Sequence, residues 1–153
     1  MKINSNTTDI RIKRISALET YPVRHPVLRE GRPIDTCKME ADDLETTFHF
    51  GLIYNDNLVG VATFMIDKNL QFTEEKQYRL RGMAVLKAHQ GHHFGKQLLQ
   101  FGEYYLKSNN VERVWFNARI NAVNFYKNNG YKTYGAIFDI PDIGSHYIMS
   151  KTL

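Results

Sequence analysis

Polar and apolar residues alternate along several short stretches of the chain, a pattern typical of strands with one buried face. The stretches predicted as strands are about 9–15, 47–54, 58–67, 77–85, 112–118, 131–138 and about 145–152. After the second of these, Asn55, Asp56 and Asn57 favour a tight hairpin turn. The alternation therefore predicts a protein rich in β-sheet, with a hairpin in its N-terminal half.

Apolar residues spaced three and four positions apart predict the helices. The clearest helix is expected at 94–107, where one stripe is formed by Phe94, Leu98, Phe101, Gly102, Tyr105 and Leu106. Ser16 is a suitable N-cap for an earlier helix that reaches Leu28. Pro22 and Pro26 lie inside that helix and are expected to break or kink it.

A shorter helix is predicted at 121–129, with Asn121 as its N-cap and Gly130 supplying the left-handed residue at its end. The element order is then strand, helix, three strands, helix, strand, helix and two strands. This order predicts an α/β fold with a mixed sheet of six to seven strands and three to four helices. The N-terminal part of the sheet is expected to be antiparallel and its centre parallel.

The segment from Tyr78 to Gly95, YRLRGMAVLKAHQGHHFG, joins a strand to a helix through a glycine-containing loop. The first N–H groups of a helix have no intrahelical partner, and the helix dipole adds about half a positive charge there. A phosphate or pyrophosphate binds well at such a place. Nearby basic residues add positive potential: Lys87, His89, His92, His93 and Lys96. On its own, the segment is equally consistent with an ordinary turn between a strand and a helix.

Together with Val111–Gly135, VERVWFNARINAVNFYKNNGYKTYG, this segment resembles the GNAT superfamily of acyl-CoA-dependent N-acetyltransferases. The pyrophosphate motif of the family is Gln or Arg, then x-x-Gly-x-Gly or Ala. It is matched here by Gln90-Gly91-His92-His93-Phe94-Gly95, with His93 where the first motif glycine is usual. The downstream pattern of the family is Asn-x-x-Ala, then Tyr, then Gly and an aromatic residue. It is matched here by Asn121, Tyr126, Gly130 and Tyr131, with Ala122 directly after the asparagine. The close match covers about a third of the chain.

The resemblance implies one acetyltransferase domain, residues 1–153, that uses acetyl-CoA as co-substrate and no metal. It also implies that the central parallel strands splay at a bulge, where Gly82 gives backbone freedom and a strand N–H polarises the thioester carbonyl. The expected contacts with CoA are the main chain of Met83, Ala84 and Val85, the loop residues Gln90, Gly91, His92, His93, Phe94, Gly95 and Lys96, and the side chains of Asn117, Asn121 and Tyr126. His93 either crowds the pyrophosphate or adds a charged donor.

The resemblance makes Tyr126 the candidate general acid, because a phenol with a reference pKa of about 10 suits a thiolate leaving group. The general base is less defined, since no carboxylate lies on the central strand. His49 and His146 are candidates to relay a proton through water. A structural role for each histidine, and loss of the amine proton directly to solvent, stay open.

Composition narrows the class of protein. With 153 residues, 42% of them hydrophobic, the chain is long enough for one globular domain. Its single cysteine, Cys37, excludes an internal disulfide and favours a cytoplasmic location. No stretch is apolar enough to span a membrane, and the N-terminal MKINSNTTDIRIKRI lacks the apolar centre of a secretory signal.

Charge adds two expectations. The net charge of +4 permits nucleic-acid binding, but no nucleic-acid-binding motif is present. An acidic group of residues is expected on a solvated surface: Asp35, Glu40, Asp42, Asp43 and Glu45. Arg24, His25 and Arg29 either line the acceptor side of the cleft or are solvated.

The expected function is transfer of an acetyl group from acetyl-CoA to a primary amine, by direct attack in a ternary complex. The acceptor is expected to be a small molecule or a peptide amine, with no nucleic-acid or membrane partner. The alternative is a catalytically inactive CoA-binding regulator or sensor, which His93 and the missing carboxylate base favour. The identity of the acceptor and the formation of a homodimer stay open.

Overall fold

The computed structural model describes residues 9–153. Residues 1–8, which include half of the segment considered as a secretory signal, lie outside the described residues. The strands are β1 Ile10–Ile15, β2 Phe48–Tyr54, β3 Asn57–Ile66, β4 Gln77–Val85, β5 Arg113–Arg119, β6 Lys132–Ile140 and β7 Gly144–Thr152. The α-helices are α1 Ala17–Leu28, α2 Phe94–Ser108 and α3 Val123–Asn128, and short 3-10 turns occupy Ile34–Cys37, Lys87–His89 and Ile120–Ala122.

The seven strands form one mixed sheet in the order β1-β2-β3-β4-β5-β7-β6. β1 pairs antiparallel with β2, and β7 pairs antiparallel with both β5 and β6. β4 and β5 are parallel, with Gln77–Arg79 opposite Arg113–Trp115. The predicted α/β class, the strand and helix order and the mixed sheet are therefore confirmed.

The chain divides into two compact units. The first comprises the described residues up to Thr63 together with Gly82–Phe101, and the second comprises Phe64–Arg81 and Gly102–Leu153. In the first unit, a buried cluster is formed by Ile15, Val23, Val61 and Ala84. In the second, buried residues include Leu106, Val114, Phe116, Tyr131 and Met149. The organisation as a single domain stays a prediction.

Helix α1 begins as predicted, at a capping box. The Ser16 Oγ accepts the Glu19 N–H at 3.2 Å, and the Glu19 carboxylate accepts the Ser16 N–H at 3.0 Å. The expected break at Pro22 or Pro26 is not observed, because both prolines lie within a continuous α1. Both are exposed, and the opposite face of the helix buries residues spaced three and four apart: Thr20, Val23 and Arg24.

Helix α3 ends as predicted but does not begin as predicted. Gly130 has a φ of +91°, and the N–H of Tyr131 donates to the Tyr126 carbonyl at 3.0 Å, as in a Schellman motif. Asn121, however, lies inside the 3-10 turn, and the N-cap of α3 is Ala122, with no side-chain hydrogen bond. The capping prediction was wrong because the chain leaves β5 directly into 3-10 geometry, whose own backbone bonds serve the first N–H groups.

Candidate active site

The loop after β4 is held at both ends by hydrogen bonds. The N–H of Leu86 donates to the Val59 carbonyl at 2.8 Å. The side-chain amide of Gln90 donates to the Val85 carbonyl at 3.0 Å. Gln90, predicted to contact a pyrophosphate, thus also ties the exposed loop to the last residue of β4.

The first turn of α2 presents unpaired backbone donors. The carbonyl of His93 accepts the N–H of Gln97 at 3.1 Å, so His93 is the N-cap of the helix. The N–H groups of Phe94, Gly95 and Lys96 precede this first bond and have no intrahelical acceptor. Because the helix dipole adds positive potential at this end, the geometry suits a bound anion.

The loop enters α2 through left-handed backbone. Gly91 has a φ of +85° and His93 a φ of +63°. A left-handed conformation costs a residue with a side chain about 1–2 kcal/mol. The substitution of histidine for the motif glycine therefore keeps the backbone shape that a glycine would give and adds an exposed imidazole next to the open N–H groups.

Aromatic rings fix the start of α2 from the protein side. Phe94 is buried, and its ring centroid lies 5.3 Å from that of Tyr54 and 5.7 Å from that of His92. His89 meets Tyr54 edge to face at 5.6 Å. The packing holds the helix terminus in place from this side.

Strand β4 is distorted at Gly82, which has a φ of +61°. A Cβ added there would lie 3.1 Å from the Arg24 Nε and 3.2 Å from the Met39 Cε. The left-handed backbone favours glycine at this position, and a side chain here would press against Arg24 and Met39. The expected backbone freedom at Gly82 is therefore present, immediately before the candidate donor-binding residues Met83, Ala84 and Val85.

Behind this distortion lies a buried ion pair. Arg24 and Asp42 pair in a bidentate manner, with Nη1–Oδ2 2.6 Å and Nη2–Oδ1 3.1 Å, and both side chains are at most 1% exposed. Arg24 also donates to the Cys37 carbonyl at 3.0 Å and to Thr63 Oγ1 at 2.7 Å. Burial by itself raises the pKa of Asp42, but hydrogen bonds from Arg24 and from the Met39 N–H outweigh it and hold this pKa below its usual range.

The burial of this pair corrects two expectations. Asp42 is not part of a solvated acidic surface, and Arg24 neither is solvated nor lines an open cleft. Two nearby basic residues, His25 on α1 and Arg29 directly after it, donate to the following connection: His25 to the Arg32 carbonyl at 2.7 Å and Arg29 to the Thr36 carbonyl at 3.2 Å. The basic residues of α1 therefore hold the chain between α1 and β2.

His49, one candidate for the base, belongs to the same buried network. Its Nε2 lies 2.9 Å from the Asp42 carbonyl and therefore donates to it, while its Nδ1 lies 2.8 Å from Thr63 Oγ1. Burial lowers the pKa of His49 below its ordinary value. With both ring nitrogens engaged and 4% of the residue exposed, the geometry favours a structural role. The role of His49 as a proton relay stays a prediction.

Tyr126 is buried in the second unit. Its ring lies 4.2 Å from that of Phe116, 5.0 Å from that of Phe125 and 5.9 Å from that of Tyr131. Burial raises the pKa of Tyr126 to about 12, so the phenol is protonated throughout the physiological range. This protonation state is the one that a general acid needs.

The other candidates of the second unit lie on β5, on β7 and in the 3-10 turn. Asn117 lines a cavity of about 490 Å³ whose walls include Trp115 and Tyr134. His146 is 4% exposed and its Nδ1 donates to the Gly144 carbonyl at 2.7 Å. Asn121 is exposed. Their roles in cofactor binding or proton transfer stay predictions.

The comparisons with known proteins agree with this architecture. Residues 14–131 match the Acetyltransferase (GNAT) family, and the chain therefore belongs to that family and is an acyltransferase. It is 39% identical over 144 residues to the uncharacterized N-acetyltransferase YitI of Bacillus subtilis (strain 168), covering 94% of this chain and 97% of YitI. The resemblance inferred from the two sequence segments is thus confirmed.

Solved structures share the fold at low sequence identity. An aminoglycoside 6'-N-acetyltransferase complexed with coenzyme A has a TM-score of 0.74 at 13% identity, over 93% of this chain and 96% of its own. Ard1 from Thermoplasma volcanium has a TM-score of 0.73 at 16% identity, over 94% of this chain and 97% of its own. At such identities the likeness shows the fold alone.

The Arg24–Asp42 network is the main feature that the sequence analysis missed. The signal was present in the helical spacing, since Arg24 falls in line with the residues that α1 buries or half-buries: Thr20, Val23, Val27 and Leu28. Among residues 9–153, no three His, Cys, Asp or Glu side chains lie together as a metal site would need. Nor, in that range, is any helix long and apolar enough to cross a membrane.

Proposed function

We propose that this protein transfers an acetyl group from acetyl-CoA to a primary amine of a small molecule, by direct attack in a ternary complex. The observation that carries the proposal is the open first turn of α2, entered through left-handed backbone at His93, in a chain of the GNAT family. The coenzyme A complex of the aminoglycoside 6'-N-acetyltransferase, which shares the fold, supports CoA as the carrier of the acetyl group.

The residues of the loop fit the pyrophosphate of CoA. The N–H groups of Phe94, Gly95 and Lys96 point out of the N-terminal end of α2, as they do in any α-helix. The side chain of Lys96 is exposed. Among the described residues other than Gly91 and its two chain neighbours, no atom lies within 4 Å of the position that a Gly91 Cβ would take, so the loop leaves room on that side. The exposed imidazoles of His92 and His93 add hydrogen-bond donors.

Strand β4 supplies the second part of the donor site. Main-chain groups of Met83, Ala84 and Val85 would pair with the pantetheine arm as an added strand does. The Val85 carbonyl already accepts a hydrogen bond from Gln90. We therefore assign the carbonyl groups that accept hydrogen bonds from the pantetheine arm mainly to Met83 and Ala84. An N–H of this stretch would polarise the thioester carbonyl. Such a donor lowers the activation barrier by about 3 kcal/mol in comparable oxyanion sites.

Tyr126 is proposed as the general acid. The amine nitrogen attacks the thioester carbon, the carbon–sulfur bond breaks, and the departing thiolate takes the phenolic proton, which solvent later restores. Burial raises the pKa of Tyr126 to about 12, so the phenol carries its proton at neutral pH before the reaction begins. Asn117 and Asn121 are proposed as side-chain contacts to the CoA arm, and His146 and His49 as relays for the proton that the amine loses.

We further propose a cytoplasmic location and no nucleic-acid or membrane partner. The single cysteine, Cys37, supports a reducing compartment, where thiols stay free. The acceptor class is proposed to be a small amine, with peptide amines as the second class to be examined. A homodimer is compatible with the proposal, which does not depend on it.

The proposal is tested by release of the CoA thiol from acetyl-CoA in the presence of a panel of primary amines. The panel includes polyamines, amino acids, aminoglycosides and short peptides with free N-termini. We expect release that depends on both the protein and at least one class of amine, with the acetylated amine identified by mass spectrometry. Binding of acetyl-CoA without turnover of any amine would instead favour the CoA-binding sensor.

A further inference from the structure

The guanidinium of Arg24 has one donor that its network does not use. Nη1 and Nη2 bind Asp42, the Cys37 carbonyl and Thr63, but Nε has no hydrogen-bond partner among the residues that the structure describes. Arg24 is fully buried, and a buried donor without a partner is destabilising because it has lost its hydrogen bonds to water. The observed orientation of the guanidinium, which leaves Nε unpaired, therefore destabilises the fold. Pairing with Asp42 does not by itself require this orientation.

The unpaired Nε lies against the distorted part of β4. A Cβ at Gly82 would lie 3.1 Å from it, and the Met39 Cε and Sδ would be at 3.2 Å and 3.4 Å. The left-handed backbone of Gly82 thus packs against a guanidinium whose position is fixed by four hydrogen bonds. A shift of Arg24 would remove the surface on which this part of the strand rests.

Three separate segments of the first unit meet at this guanidinium. Arg24 comes from α1, Cys37 and Asp42 from the connection before β2, and Thr63 from β3. The Met39 N–H also donates to Asp42 Oδ2 at 2.9 Å, which fixes the methionine that packs on Gly82. A buried ion pair is weak evidence for added stability, since apolar replacements are often as stable. Its placement against Gly82 indicates a role in geometry.

We propose that Arg24 is a positioning residue for the acyl donor: the buried Arg24–Asp42 pair holds Gly82 in its left-handed conformation and so directs the N–H groups of Met83, Ala84 and Val85. The inference rests on the proposed function, because it concerns the same donor site. Beyond the proposed function, Arg24 does not contact the substrate in this proposal but sets the orientation of the β4 N–H group that polarises the thioester carbonyl.

The test replaces the whole pair, with Arg24→Met and Asp42→Leu together, so that no single charge is left buried. The readout is the infrared band of acetyl-CoA labelled with ¹³C at the thioester carbonyl, measured free and bound. A hydrogen bond from β4 lowers the frequency of this band, and the measurement needs no acceptor amine. A role in stability alone would leave the bound band unchanged in a folded variant.

We expect the bound band of the wild type to lie below that of free acetyl-CoA, and the band of the double variant to return to the free position. Affinity for CoA should stay within about threefold, because the open turn of α2 is untouched. Once an acceptor amine is known, kcat should fall about 10- to 100-fold, as a misplaced catalytic group produces. A folded double variant with the wild-type band position would overturn the proposal.

A matched control uses a second bidentate arginine–carboxylate pair of the described residues. Arg113 donates to Glu74 through Nε and Nη2, both at 2.7 Å, in the second unit. Arg113→Met with Glu74→Leu should leave the bound carbonyl band in place. If the Arg24–Asp42 double variant does not fold, Gly82→Ala decides: it keeps the pair but alters the distorted backbone, and an unchanged band would overturn the proposal.

The outcomes separate this inference from the proposed function. If the wild type does not bind acetyl-CoA or shows no band shift, the donor site itself is wrong. If the wild type shows the shift and the variants retain it, the donor site stands and only the positioning role of Arg24 fails.

Discussion

The chain twice runs from a strand through a short turn into a helix, and the two passages differ in what they leave open. After β4, an exposed loop enters α2 through left-handed His93, and the first N–H groups of this 15-residue helix have no acceptor within the helix. After β5, a 3-10 turn leads straight into α3, a helix of six residues that ends in a closed Schellman motif at Gly130.

The difference shows that two strand–turn–helix connections of similar order can have different roles. The first passage offers main-chain donors and positive potential, which suit an anionic ligand. These donors do not depend on the identity of the side chains. The second closes its C-terminal end in a Schellman motif and places Tyr126 among aromatic rings. We infer that the first passage binds the acyl donor and the second holds the acid, so variants in the two should affect binding and chemistry separately.

The largest effect is expected in the second passage. Tyr126→Phe removes the phenolic proton but keeps the ring packed on Phe116, so kcat should fall about 100- to 1,000-fold, within the range for a lost general acid. The dissociation constant of acetyl-CoA and the melting temperature should change little. Steady-state kinetics with the identified amine and calorimetry with acetyl-CoA check this; an unchanged kcat would remove Tyr126 from the mechanism.

The next effect belongs to the first passage. Lys96→Glu places a carboxylate at the third residue of α2, where it should raise stability by about 0.3–1 kcal/mol through the helix dipole. The same carboxylate should weaken acetyl-CoA binding about 30-fold, since a charge-assisted contact is replaced by repulsion. The control is Lys13→Glu, at an exposed position of β1, which makes the same change in net charge. It should change neither the stability nor the affinity for acetyl-CoA appreciably. Equal affinities in both variants would contradict the assignment of the anion site.

A smaller effect is expected from the left-handed N-cap. His93→Gly should stabilise the fold by about 1 kcal/mol, because glycine adopts a positive φ without steric cost. His92→Gly is the matched control, since His92 is not among the positive-φ residues, and it should be destabilising. Urea unfolding of the two variants gives the comparison; destabilisation by both would show that the imidazole of His93 makes contacts that outweigh its backbone strain.

The smallest effect tests the start of α3. Asn121→Ala should cost less than about 0.5 kcal/mol, because Asn121 caps no helix in this structure. Ser16→Ala should cost about 1 kcal/mol, because it removes the capping box of α1. Should Asn121→Ala prove as costly as Ser16→Ala, the 3-10 start of α3 would need revision.

Features set by local sequence were predictable. The bounds predicted for β4, 77–85, are those observed, and α2 was expected to end one residue earlier than it does. Asn55 and Asp56 both have positive φ, as the predicted hairpin turn requires. Periodicity and turn chemistry act over a few residues, so one sequence is enough to find them.

Features that depend on distant partners were not predictable in the same way. The helical spacing places Arg24 on the buried side of α1, but its partner Asp42 lies 18 positions further along the chain and resembles an ordinary surface charge in the sequence. Asn121 has the composition of an N-cap, but the 3-10 turn before α3 could not be foreseen from residue preference. The strand, loop and helix of the motif segment were predicted correctly. Anion binding by this segment and the roles of Tyr126, His49 and His146 stay predictions.

The most direct test of the central claim is calorimetric titration of the wild-type protein with acetyl-CoA and, separately, with S-acetylpantetheine, which lacks the pyrophosphate and nucleotide. If the open turn of α2 binds the pyrophosphate, acetyl-CoA should bind with one site per chain and S-acetylpantetheine at least about 100-fold more weakly, which corresponds to about 2.7 kcal/mol. Equal affinities, or no binding of acetyl-CoA at high micromolar protein, would contradict the account.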